Sequence, residues 1–99
     1  AAGYIVGKKG GAPEGSRIQI TISGPVERTL RVGVNDGRAS LVESFNEDPT
    51  STLTMSSLDF TALTGGRDDS TKYIEDGRVV LGGDLEVARQ IAENLAYTI

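Results

Sequence analysis

The sequence contains no cysteine and no histidine. Without cysteine there can be no disulfide, no thiolate nucleophile, no zinc ribbon and no iron–sulfur cluster. Such a chain suits a reducing compartment, and a cytoplasmic location is the expectation. Without histidine the chain lacks the side chain that titrates near neutral pH and the commonest metal ligand. Any chemistry must come from Asp, Glu, Lys, Arg, Tyr, Ser or Thr. Tryptophan is absent too, and aromatics are limited to three tyrosines and two phenylalanines. Positive charge is also scarce. Ten Lys and Arg face fourteen Asp and Glu, for a net charge of −4. No basic stripe with interleaved aromatics occurs, which excludes an extended nucleic-acid surface. No apolar run is long enough to span a membrane, and no signal-peptide pattern occurs. Residue 1 is alanine and the sole methionine is Met55, so the chain is expected to be part of a longer protein.

What is present fits one small domain. A chain of 99 residues buries roughly 60–65% of its unfolded surface, enough for one core layer with little room for a deep cavity. Residues 1–15 read as a connector or the end of a preceding helix, stopped by Gly10-Gly11-Ala12-Pro13. Gly7-Lys8 hints at a phosphate loop, but the required G-x-x-x-x-G-K-[ST] order is missing.

From Arg17 a period of two sets in. Ile18, Ile20 and Ile22 alternate with polar residues and predict a strand with one buried face. Gly24-Pro25 turns the chain into a second strand carrying Leu30, Val32 and Val34. Asn35-Asp36-Gly37 is a tight-turn signal leading to a third strand at Ala39 and Leu41. After a polar break from Phe45 to Pro49, Leu53 and Met55 predict a fourth strand. Ser56 or Ser57 then caps a short amphipathic helix bearing Leu58, Phe60, Ala62 and Leu63, with Asp59 completing an acidic capping box. Gly65-Gly66 ends it. Asp68 to Asp76 reads as a polar stretch anchored by Tyr73 and Ile74. Asp76-Gly77 turns into a fifth strand, Arg78 to Leu81, stopped by Gly82-Gly83. Asp84 caps a final helix whose apolar positions are Leu85, Ala88, Ile91, Ala92 and Leu95. The order βββ-β-α-β-α over residues 16–99 predicts a two-layer α+β domain, a five-stranded mostly antiparallel sheet with helices on one face.

The stretch Leu63-Thr64-Gly65-Gly66-Arg67-Asp68-Asp69-Ser70 concentrates charge after a helix end. Adjacent carboxylates point apart in most backbones, so Asp68-Asp69 does not make a shared-proton pair, and no calcium-loop spacing surrounds it. No catalytic residue and no metal site is expected in this chain. Arg67 is the candidate anion binder, because a guanidinium recognises a carboxylate bidentately. Arg78, expected on the strand face away from the core, and Arg89, expected to face solvent, are the other arginines of this end. Tyr73 reads as a half-buried anchor.

The runs Phe60-x-x-Leu63-x-x-Gly66-Arg67 and Asp76-Gly77-Arg78-Val79-x-x-x-Gly83-Asp84, followed by the closing helix, resemble the sterol-carrier-protein-like fold. More narrowly they resemble the C-terminal domain of the mycothiol-dependent maleylpyruvate isomerases of actinobacteria. The resemblance covers roughly residues 16–99. It implies an accessory domain that is not catalytic alone. Its partner would be a preceding metal-binding helical bundle that carries a divalent metal and the mycothiol chemistry. This domain would lend an arginine to substrate binding, Arg67 first, with Arg78 and Arg89 as alternatives. Sterol-carrier relatives imply the other reading, a small module for lipids or other hydrophobic ligands.

Overall fold

The computed structural model describes residues 13–36, 38–66, 69–93 and 95. The first segment up to Ala12, the turn glycine Gly37, and Arg67 and Asp68 lie outside the described residues.

Five strands form one sheet: β1 (Arg17–Ser23), β2 (Arg28–Asn35), β3 (Arg38–Leu41), β4 (Ser51–Ser56) and β5 (Val80–Gly83). Their order across the sheet is β3-β2-β1-β4-β5. The β1–β2–β3 meander and the β4–β5 pair are antiparallel, while β1 and β4 run parallel at the centre. The sheet is thus mixed and mostly antiparallel.

Register explains the core. Ile20 is paired with Leu30 on one side and with Leu53 on the other, and Leu53 in turn with Leu81. Ile18 pairs with Val32 in the same way. Residues paired across a sheet share a face, so this row builds one apolar surface. Ile18, Val32 and Leu53 are fully buried, while Gln19, Thr21 and Thr54 point the other way and stay partly wet.

Three helices complete the described residues: α1 (Ser57–Thr64), α2 (Ser70–Glu75) and α3 (Leu85–Glu93). The core cluster joins the apolar sheet face to Leu63 of α1, Tyr73 of α2, Ala88, Ile91 and Ala92 of α3, and Leu95 beyond it. Tyr73 is 5% exposed, a deeper anchor than its sequence context suggests.

The sequence placed most boundaries, and four details need correction. First, Asp68 to Asp76 contains a helix, α2, rather than a loop alone. Asp69 caps it, its Oδ1 accepting the Thr71 amide at 3.0 Å. Second, β5 starts at Val80 rather than Arg78 and includes Gly82 and Gly83 instead of stopping before them. A Cβ on Gly82 would lie 2.5 Å from Thr52 Oγ1, and one on Gly83 would run into the Thr50 carbonyl. The glycines are there because the strand passes too close to its neighbour for a side chain.

Third, α1 is not amphipathic in the expected sense. Leu58 is 74% exposed, and the inward position at the first turn belongs to Asp59, 7% exposed. The cap itself is as expected: Ser56, with Ser57 the alternative, is the N-cap, its Oγ accepting the Asp59 amide at 3.1 Å. Fourth, Leu85 is not a core residue of the last helix. It is 57% exposed, whereas Ala88, Ile91, Ala92 and Leu95 are buried.

The ends of α1 and α3 follow the sequence. Gly65 closes α1 in a right-handed conformation and Gly66 takes φ +70°, the left-handed step that glycine permits. Asp84 Oδ1 accepts the Val87 amide at 3.2 Å, capping α3. Thr50 and Ser51 tie this corner to the sheet. Thr50 exchanges hydrogen bonds with the Arg17 backbone and accepts the Asp84 amide at 2.8 Å, and the buried Ser51 hydroxyl donates to the Asp84 carbonyl at 3.1 Å. These bonds fix where α3 leaves the edge strand.

Candidate functional site

That departure opens a groove. β5 is an edge strand, with α2 before it and α3 after it in the chain. Between them lies a groove of about 480 Å³, within the size range of about 300–1,000 Å³ typical of ligand pockets. Its floor is Val79, 1% exposed, with the half-buried Ile74 and Leu81 beside it. Its lip is Leu85, 57% exposed, while Val80, which borders the groove along the edge strand, pairs with Thr54 and so faces the outer side of the sheet. A large apolar side chain standing in water over a buried apolar floor costs hydration free energy unless something covers it.

The polar end of the groove is formed by Glu86 and Arg89 on α3. Arg89 donates through Nη2 to Glu86 Oε1 at 2.7 Å and through Nη1 to Glu93 Oε1 at 2.6 Å. These are the i−3 and i+4 neighbours on one helix face. Gln90 Nε2 also donates to Glu86 at 3.1 Å. Hydrogen bonding to Arg89, then to Gln90, holds the Glu86 carboxyl below its ordinary range, and the Glu86 hydrogen bond raises the guanidinium of Arg89. Glu86 and Arg89 are therefore both charged at neutral pH.

Arg78 is placed differently from its expected strand face. It precedes β5 and reaches back to α1, where Nη2 lies 2.5 Å from Asp59 Oδ1 and Nε 3.3 Å from Oδ2. Its guanidinium carbon sits 3.9 Å from the centre of the Tyr73 ring. The forked contact and the stacking make Arg78 a clamp between α1 and α2, not part of the groove lining. Arg89 faces solvent as anticipated and does line the groove. Arg67 lies outside the described residues.

A second cleft, of about 400 Å³, lies by Arg17, Asn35 and the Val42–Glu47 loop. Its one lining cation is engaged by the loop. Arg17 Nε donates to the Asp48 carbonyl at 2.8 Å, Nη1 to the Gly15 carbonyl at 3.3 Å, and Glu47 lies 3.4 Å away. This arginine fastens a loop. Among the described residues no three carboxylates converge to hold a metal ion, and no helix is long and apolar enough to cross a membrane.

The residues that make the groove were assigned to core or strand by the sequence. Leu85 fits the 3–4 spacing of α3, and Val80 fits a strand. Their one available signal was that Val79, Val80 and Leu81 form an unbroken apolar run on a strand whose glycines mark an edge.

A mixed five-stranded sheet with helices over its apolar face, and an open groove beside the edge strand, defines a two-layer α+β domain of the sterol-carrier-protein-like fold. The chain belongs to the SCP-2 sterol transfer family, whose model matches residues 12–96. The sterol carrier protein domain 2 of Helicoverpa armigera superposes with a TM-score of 0.66 at 19% identity, over 96% of this chain and 76% of that one. A palmitated sterol carrier protein 2 like 2 of Aedes aegypti gives 0.66 at 19% identity, over 93% and 84%. The sec-alkylsulfatase of Pseudomonas sp. gives 0.58 at 15% identity; it matches 87% of this chain, but only 13% of the sulfatase is covered. No curated protein matches the sequence.

Proposed function

We propose that the domain binds the apolar part of a small amphiphilic ligand in the groove beside β5. The observation that carries this is Leu85, more than half exposed, at the rim of a groove whose floor is the buried Val79. Family membership and the palmitated relative support it. The test is an NMR titration of valine and leucine methyl groups with a neutral lauroyl lipid, alongside native mass spectrometry. Shifts centred on Val79, Val80, Leu81 and Leu85 are expected. A flat methyl spectrum with no retained lipid would overturn the reading.

A second reading is that the domain serves as the accessory part of a larger, cytoplasmic mycothiol-dependent isomerase or transferase. It is supported by the absence of histidine and cysteine and by the same fold occurring as a small part of the long sulfatase chain. A preceding helical bundle would then supply metal and mycothiol, and Arg67, or Arg89 at the groove, would meet the substrate. Joining the domain to such a bundle should change KM for the substrate. Identical kinetics with and without it would sink this reading.

A further inference from the structure

We propose that the cleft under the Val42–Glu47 loop is a second binding site, for a neutral polyhydroxylated ligand of sugar size. It shares no lining residue with the groove beside β5 and stands or falls apart from that reading.

The cleft lies on the sheet face away from the helices. Ile18 and Val32 belong to the core. Their neighbours Arg17 and Gly33, which pair with each other across β1 and β2, therefore point to the other face. Gly33 is nevertheless buried, and a Cβ on it would come within 3.8 Å of Val42, because the loop folds over it. The loop is fastened to the sheet on both sides. The Val42 amide donates to the Arg31 carbonyl at 2.8 Å, and the Thr50 amide to the Arg17 carbonyl at 2.7 Å. The Arg17 guanidinium adds its bond to the Asp48 carbonyl. The cleft of about 400 Å³ is thus built before any ligand arrives.

Its polar lining is unmatched. Ser16 is 5% exposed and lines the cleft, and its hydroxyl bonds to none of the described residues. A hydroxyl this deep is satisfied only from the cleft. The side chains of Asn35, Ser44 and Asn46 have no hydrogen-bond partner among the described residues either. The charged pair of the lining, Arg17 and Glu47, lies 3.4 Å apart, each answering the other, so the cleft favours neither an anion nor a cation. Hydroxyls and carboxamides both donate and accept. Their complement is a molecule that does both at many points, which is a polyol. A carboxylate or phosphate only accepts, and would leave the carboxamide oxygens unmatched. The half-buried ring of Phe45 supplies one apolar wall, suited to the C–H face of a sugar ring.

The experiment titrates the isotopically labelled full chain with methyl β-glucoside and myo-inositol, and with glucuronate and glucosamine as charged counterparts. The side-chain amides of Asn35 and Asn46 and the ring of Phe45 are expected to shift, with a Kd on the order of 1 mM for the neutral ligands. The charged sugars are expected to bind no more tightly. Gly33→Ala puts a methyl group on the cleft floor 3.6 Å from the Asn35 amide nitrogen, an ordinary contact that leaves the fold alone. It is expected to weaken binding at least about fivefold, and Asn35→Ala, at an exposed position, to do the same. No shift at these residues with either neutral ligand would overturn the site. Tighter binding of glucuronate or glucosamine would overturn the ligand class. Shifts that survive both substitutions unchanged would place binding elsewhere and overturn the site as well.

Discussion

Arg78 grips Asp59 with two nitrogens while its guanidinium carbon sits over the Tyr73 ring, 3.9 Å from its centre. The three residues belong to the α2–β5 connection, α1 and α2, so one side chain joins three parts of the helical layer. Asp59 is nearly buried, and Arg78 is about half exposed. Arg78→Ala strips a nearly buried carboxylate of its partner, which costs ~3–5 kcal/mol for a fully buried pair. With one partner half in water the expectation falls to about 1–3 kcal/mol, including the lost stacking. Arg78→Lys should recover less than half, because an ammonium neither forks nor stacks in the same way. Urea unfolding reads the effect as a lower midpoint at constant slope.

Gly77 and Gly83 separate two penalties. Both have positive φ, +78° and +70°, but a Cβ on Gly77 would meet nothing within 4 Å while one on Gly83 would strike the Thr50 carbonyl. Gly77→Ala should therefore cost only the left-handed backbone penalty, about 1–2 kcal/mol. Gly83→Ala should cost clearly more, because backbone must shift at the corner where Thr50 also receives Asp84. Equal thermal shifts for the two variants would contradict that placement.

Much of the fold was legible because alternation and caps are local signals. Ile18, Ile20, Ile22, Leu53 and Met55 declare one buried face, and Ser56, Gly66 and Asp84 mark helix ends by their own chemistry. The misread elements depend on partners distant in sequence. Nothing near Asp59 announces that its carboxylate meets Arg78, and α2 is short enough that Asp69 passes for a loop residue. The groove was illegible for a related reason. Leu85 has the spacing of a core residue, and only the position of β5 at the sheet edge leaves it uncovered.

Leu85 and Leu53 should consequently behave oppositely. Leu85→Ser removes a half-exposed side chain and should change stability by less than about 1 kcal/mol while weakening ligand binding. Leu53→Ala empties a fully buried site and should cost about 2–5 kcal/mol. Paired melting and titration curves check both.

The helix-face cluster gives a signed pH dependence. The Glu86 carboxyl is held low by Arg89 and Gln90. A depressed folded value contributes stability above the ordinary glutamate pKa of about 4.3, and this is lost as pH falls through the lower folded value. Wild type should thus melt slightly above Glu86→Gln at neutral pH, with the two curves converging in acid. A gap that widened on acidification would contradict the assignment.

The parallel β1–β4 pair has a kinetic meaning. The meander can assemble from neighbours in sequence, but Arg17 and Thr50, which meet at the start of the central pair, are 33 residues apart. Until that long loop closes, Ile18 and Ile20 have half a sheet and no floor for the helices. Closure entropy must be met before those contacts repay it, and the edge pair of Ser51 with Gly83 asks for a closure of similar length, so β4 is the strand whose two pairings both wait on distant sequence.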